Sequence, residues 1–585
     1  MPLFTRPDGI QTRIPGVYGA FEVVSSLPGA LPAFQIPLIL AGGEWGYPFD
    51  IHDTNEDHET LTEFQWFGTP DGAKAFYGQD SDMGVAFATA ARHGMPGAFG
   101  LCMSALTRAS LIATSVGPIN QAKVYSRRYG WPGNWIMLKV AGGLQVDVTV
   151  PTRFTRLSAN AAGTATRIYV RDNSWVQIGA TYSIGDNNTA LVTKTVADKG
   201  TSYTATGQKQ YWVEFTAAIG GAITTALYAA IAQYPTTATE SSDTFTTAQQ
   251  VFDWIRNESQ WIDVVEEATW SGVTWIALAA ATPIKEIAVW AAPVKAVSPS
   301  PSSTDYDDMI TDMGEAEWDR FVTDYGVIPR LFLVVDSATA VHTSMRDWTI
   351  AKRLEGWPIA VVTGRAWGDI VAQGGGATDP TVNARTLNHQ DFMLCAGGLD
   401  WLGAYASLAP VVFGLRAGKP VGHNLTNDDI FYEMIEAYWD ERVSGDLTAL
   451  LRAGVCTYKL SVSGSPRFRI AEGLSTLSNN DNAWNTVDAT TCLVAQRDLA
   501  DFVDRVIRLD LEGMQLGADE VDPSTIAAVI NRRAEKSLKR RGYIKDFRID
   551  SITLDATGAG YNVEWSVKLP TTTDFIGLTT RILIG

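Results

Sequence analysis

Asp336, His342 and Ser344 come nearest, by type and spacing, to a set of residues that could do catalysis. A carboxylate could orient the imidazole, and the imidazole could take the hydroxyl proton. The strained elbow G-x-S-x-G that presents a nucleophilic serine does not occur in the chain. Polar loop groups near a strand end account for the three residues equally well. Gly414-Leu415-Arg416-Ala417-Gly418-Lys419 has the glycines and lysine of a phosphate-cradling loop. Its glycines sit too close together, and Pro420 stands where a magnesium-binding Ser or Thr belongs, so it is read as a plain loop. Gly374-Gly375-Gly376 lacks the G-x-G-x-x-G order and is read as a flexible loop. His52-Asp53-Thr54-Asn55-Glu56-Asp57-His58-Glu59 begins like a calcium loop, but His58 replaces the turn glycine and Phe64 the closing glutamate. It reads as a solvated acidic loop. No catalytic residue, metal ligand or cofactor is expected, and the chain is read as no enzyme.

Composition narrows the remaining classes. The chain has 585 residues, 64 acidic against 46 basic, and a formal charge of -18. That balance repels phosphate backbones, so no nucleic-acid partner is expected. With 46% hydrophobic and 19% charged residues it can bury several cores, and its length suggests three or four domains. The longest apolar runs, such as Ile36 to Ala41 and Trp275 to Ala281, fall far short of the ~20 residues that span a bilayer. Met1 to Arg13 lack the pattern of a signal peptide, so neither membrane anchoring nor secretion by that route is expected. Cys102, Cys395, Cys456 and Cys492 are scattered and read as buried free thiols. The 19 tryptophans and 52 glycines suggest β structure with extensive contact surfaces.

The elements that must position these residues fall into blocks. Residues 1 to 30 read as an arm with one orphan strand, Val17, Gly19, Phe21 and Val23 on one face and Tyr18, Ala20, Glu22 and Val24 on the other. Pro37 to Ala41 is a buried strand, Ala73 to Tyr77 is helical, and Met103 to Ala113 is apolar or helical. The turn Arg128 to Asn134 feeds a strand from Trp135 to Val140. A Thr/Val/Gly-rich β region follows, then a helical stretch from Thr247 to Ile262 and strands at Val273 to Leu278 and Ile287 to Trp290. Val297 to Ser303 reads as a linker or exposed loop. Beyond it, Arg330 to Asp336, the helix Thr343 to Leu354 and the run Pro358 to Val362 form a βαβ pattern, continued by Met393 to Cys395 and a helix-like Leu399 to Phe413. The last part reads as helix, helix, hairpin and final strand Leu578 to Ile584. Asp522-Pro523 starts the second of these helices.

One charged feature exceeds the background. At helical spacing Ile526, Ile530, Ala534 and Leu538 share one side of that helix, and Arg532, Lys536, Lys539 and Arg540 share the other, with Arg533 at the edge. A solvated helix face and a surface for an acidic partner are both open readings.

The ordered set resembles the sheath protein of contractile phage tails and related injection machines. The residues that carry the resemblance are Ile14-Pro15-Gly16-Val17-Tyr18, Gly130-Trp131-Pro132-Gly133-Asn134, Trp357-Pro358-Ile359-Ala360, Asn388 to Gly398, and the layout from Asp498 to Gly585. Residues 141 to 290 match only in being β-rich. The resemblance implies a mixed α+β and α/β multidomain fold. A discontinuous α/β core (31–130 and 297–495) would carry an inserted β-rich outer domain (131–296), a C-terminal ααββ inner domain (496–570) and arms at both ends (1–30 and 571–585). It further implies hexameric rings stacked around a tail tube in the virion of a bacteriophage or a related contractile injection system. Contraction would drive the tube through the host envelope. The partners would be the chain itself, the tail tube protein, and baseplate and tail terminator proteins. Val17, Tyr18, Phe21, Val23, Leu578, Thr580, Ile582 and Ile584 would form arm strands between subunits, and Arg532, Arg533, Lys536, Lys539 and Arg540 would face the tube. Another self-assembling virion protein, such as a tube or capsid subunit, and an α/β hydrolase with accessory β domains are the alternatives.

Overall fold

The computed structural model describes residues 4–5, 11–12, 35–47, 65–114, 121–141, 144–204, 209–266, 278–286, 291–314, 329–354, 357–365, 379–398, 407–431, 438–439, 445–461, 467–477, 493–512, 522–554 and 561–570. The fold is mixed α/β with several sheets. Its centre is a seven-stranded sheet ordered Val455–Cys456, Phe392–Ala396, Ala360–Arg365, Leu331–Val334, Pro37–Ala41, Ala98–Cys102, Gln65–Phe67. All neighbours are parallel except the edge strand Gln65–Phe67. These strands read as unbroken apolar runs because both faces are covered. Ile39, Leu331, Leu333, Val362 and Met393 face the helices Asp82–Arg92 and Ala409–Gly418. Leu38, Leu40, Phe332, Val334 and Val361 face Ser303–Gly314 and Thr339–Leu354.

The β-rich region comprises two nested cores. In the first, one four-stranded sheet joins Ile262–Glu266, Gln121–Ser126, Ser110–Thr114 and Ala291–Val294. A second joins Glu240–Ser241, Val146–Thr149, Met137–Val140 and Leu278–Pro283. Both share a core with the helix Ala248–Asn257, which Thr247 and Gln250 start with a reciprocal capping box. The first sheet thus includes strands that precede residue 131. The second core belongs to a six-stranded antiparallel sheet ordered Arg153–Arg156, Ala230–Gln233, Thr181–Gly185, Val192–Tyr203, Lys209–Phe215, Arg167–Val170. The bridge Leu157–Val170 joins its end strands and closes it into a small barrel around Ile168, Tyr182, Ile184, Val213 and Phe215.

Several expectations are corrected. Ser110–Thr114 is a strand, because a short apolar run fits either element until its partners are known. The helical stretch expected to reach Ile262 ends at Asn257, and Ile262–Glu266 is a strand. The turn cluster contains a buried 3₁₀ turn, Trp131–Trp135. The supposed linker is anchored, not free: buried Ser298 accepts from Trp131 N–H (2.9 Å) and donates to the Glu44 carbonyl (2.8 Å). Asn134 ties the same crossing together by donating to Ala296 O (2.8 Å) and accepting from Ala296 N–H (2.7 Å). Gly130 lies at φ +118°, and a side chain there would overlap the Glu44 carbonyl, so this crossing requires glycine. The expected strands at 273 to 277 and 287 to 290 lie outside the described residues.

At the C-terminal end, the helix Val494–Glu512 packs on Pro523–Arg533, which widens into a π-helical turn over Ala534–Lys539. Asp522 caps it by accepting from Ser524 N–H (2.8 Å). Ile526, Ile530, Ala534 and Leu538 are buried against Leu499, Phe502, Val503, Val506 and Ile507. Phe547, Ile549, Trp565 and Val567 of the hairpin Asp546–Leu554/Tyr561–Lys568 pack on this cluster.

Candidate functional site

The residues that suggested catalysis form no catalytic arrangement. His342 is fully buried, and its Nε2 lies 2.9 Å from the Asp336 backbone carbonyl and 2.9 Å from Thr363 Oγ1. Its Nδ1 meets the Asn383 side chain at 2.9 Å. The Asp336 carboxylate instead accepts from Ala338 N–H at 2.6 Å. Burial lowers the His342 pKa to about 4, so the ring is neutral and serves as a fixed packing group. Gly414 to Gly418 is the end of a helix, not a loop. Gly414 lies against the Ala90 backbone and Gly418 against Gly94, so these glycines let two helices approach closely. The His52–Glu59 loop, Gly374–Gly376 and Cys492 lie outside the described residues, and Cys102, Cys395 and Cys456 are buried free thiols. Among the described residues no helix is long and apolar enough to cross a membrane.

The carboxyl end of a doubly wound sheet usually forms a ligand crevice where strand order reverses, here between Pro37–Ala41 and Leu331–Val334. There Gly42, which follows Pro37–Ala41, is packed closely against Pro301 and Ser104. A Cβ on Gly42 would stand 3.0 Å from the Pro301 ring and 3.2 Å from Ser104 Oγ.

The expected basic stripe divides. Arg532, Lys536 and Arg540 are exposed, with no ion-pair partner among the described residues. Arg533 turns back to a bidentate pair with Asp510, which raises its pKa. Lys539 pairs with Glu535 (3.1 Å) and Asp546 (3.4 Å). Residues 13–34 and 571–585 lie outside the described residues, and with them Val17, Tyr18, Phe21, Val23, Leu578, Thr580, Ile582 and Ile584. The hairpin that ends the described chain is a sheet of two strands among those residues, with both outer edges unpaired.

Sequence reasoning missed a buried charge network between the α/β core and the helix Val494–Glu512. Arg330 reaches Asp498 (2.9 Å) and Asp501 (2.7 Å), and Arg416 grips Asp498 (2.8 and 2.5 Å). Arg353 bridges Asp391 and Asp501, as does Arg497. Asp498 and Asp501 sit one helical turn apart beside the apolar residues Leu499 and Phe502. That spacing was the available signal. Burial alone would raise their pKa values, but the facing guanidiniums outweigh it, and Asp501 falls to about 2.

No family model and no curated protein matches the chain. Among solved structures, it is similar to a sheath tail protein from Desulfitobacterium hafniense, with TM-score 0.49 and 10% identity over 93% of this chain and 98% of that one. It is also similar to a chain of the anti-feeding prophage baseplate, with TM-score 0.36 and 10% identity over 50% of this chain and 76% of that one. A chain of the anti-feeding prophage helical sheath in its contracted state gives 0.35 and 10% over 49% and 77%. At this identity and these TM-scores, function has to be argued from the chain's own residues.

Proposed function

We propose that this chain is a structural subunit of a contractile tail sheath. It would polymerise as stacked hexameric rings around a tail tube and shorten to drive the tube through a host envelope. The observation that carries the reading is the C-terminal ααββ module, whose helices bury an apolar face under a hairpin that pairs with no further strand among the described residues. An isolated hairpin is marginal in water, and open edges take further strands by β-augmentation. The alternating segments Val17 to Val24 and Leu578 to Ile584 are the strands this reading assigns to those edges, supplied by neighbouring copies. Head-to-tail contacts of that kind generate open helical arrays. Exposed Arg532, Lys536 and Arg540 are assigned to the tube, and baseplate and terminator proteins to the ends of the array in the virion. The neutral, enclosed His342, tied to a backbone carbonyl and to Asn383, favours this reading over a hydrolase.

Negative-stain microscopy of the purified chain tests it. Full-length protein should form tubes, and deletion of residues 1–24 or 578–585 should leave soluble, folded subunits without long tubes. Normal tubes from both truncations would refute the arm assignment. A full-length chain that stays monomeric at all concentrations would refute the sheath reading.

A further inference from the structure

Where the barrel meets the α/β core, two buried carboxylates and a half-buried third stand with two guanidiniums. Glu44 and Asp80 are each 5% exposed and belong to the core, as does Asp82. From the barrel, Thr155 Oγ1 donates to Asp80 Oδ2 (2.5 Å), and Arg156 N–H donates to the same oxygen (3.0 Å). Arg156 Nη1 reaches Glu44 Oε1 (3.3 Å) while its Nη2 serves Thr225 O (3.2 Å). Arg171 Nη1 donates to the Asp80 backbone carbonyl (3.0 Å) and lies 3.8 Å from Glu44 Oε1. Glu44 Oε2 and Asp82 Oδ1 are enclosed without a hydrogen-bond partner. The surrounding elements do not restore the balance. Asp336 approaches with Arg365 as its own cation, and Asp172 on the barrel spends its carboxylate on Ser174. Lys74 passes with its stem against the space beside Gly84.

We propose that this contact is a proton-holding joint: near neutral pH Asp80 or Asp82 carries a proton beside the Glu44 charge, and losing it at higher pH loosens the barrel from the core. Two guanidiniums cannot neutralise three carboxylates, of which Glu44 and Asp80 are buried and Asp82 has one oxygen enclosed, and an uncompensated buried charge is costly. A proton removes that charge while leaving Asp80 Oδ2 free to accept both bonds from the barrel. Burial, then the charge of Glu44, raises the Asp80 pKa to about 7, and burial raises that of Asp82 to about 6. A carboxyl raised in the folded state contributes fully to the joint only below its ordinary value of about 4, and the contribution falls as pH rises from there. That contribution is lost as pH climbs through about 7.

Hydrogen exchange of peptides spanning 78–84 and 153–158, corrected for intrinsic rates, tests this on the full chain between pH 5.5 and 8.5. Protection should fall at least about tenfold across that range, the population change that one unit of pKa displacement produces. Peptides in the strand Leu331–Val334 should stay unchanged. Asp80→Asn keeps an acceptor oxygen and removes the titration, so the step should flatten. Arg171→Gln should move the midpoint to higher pH, because one cation fewer faces the carboxylates. A flat profile for the unmodified chain overturns the proposal. So does a step that persists unchanged in the Asp80→Asn/Asp82→Asn double variant.

Discussion

Asp498→Ala should detach the C-terminal module from the α/β core without unfolding the core. The Asp498 side chain is 4% exposed and holds Arg330 and Arg416, themselves 5% and 4% exposed. Arg330 would keep Asp501, but among the described residues Arg416 would retain only a long contact to the Met393 sulfur at 3.8 Å. Removing one partner of a buried pair typically costs about 3–5 kcal/mol, because the other charge stays enclosed. A contact holding one module carries only part of a chain's stability, so this loss should dominate the docking equilibrium. Exchange and limited proteolysis of residues 494–554 report it directly. Both should rise sharply while protection of Ala360–Arg365 is unchanged. The double variant Asp498→Leu/Arg416→Met, which removes both charges, should recover most of the loss. Acid gives a second route. Asp501 is held at about 2 by its guanidiniums, so its contribution is present above pH 4 and lost as pH falls from about 4 towards 2. A loss below about 1 kcal/mol for Asp498→Ala, or a double variant as weak as the single one, would refute the argument.

Three further outcomes follow from the structure. Lys536→Glu/Arg540→Glu should impair coating of purified tube, scored by microscopy at low and moderate salt, while tube-free polymer still forms. Exposed pairs are worth about 0–1 kcal/mol each, and under the proposed function they would act by repetition along a tail. Arg533→Glu should behave differently, lowering thermal stability through the lost Asp510 pair. Gly414→Ala should destabilise the core by about 1–3 kcal/mol in denaturant unfolding, because its methyl meets the Ala90 backbone, which cannot move aside.

Features that depend on neighbours along the chain were legible in the residues alone. The apolar run from Leu331 to Val334, the Asp522-Pro523 start, the face Ile526/Ile530/Ala534/Leu538 and the C-terminal hairpin all express periodicity or capping, which are local properties. The helix Asp82–Arg92 was not legible, although Ser81 caps it. It is buried on most of its surface and shows no polar stripe to mark a period. The stripe after Pro523 was legible as charge but not as contact. Whether Arg533 faces solvent depends on Asp510, which another helix supplies. The same holds for Arg330 with Asp498, Arg156 with Glu44, and Ser298 with the Glu44 carbonyl. Spacing along a chain encodes what one residue prefers. Only the fold decides which distant charge or backbone group answers it, and leaving a buried polar group unanswered costs stability.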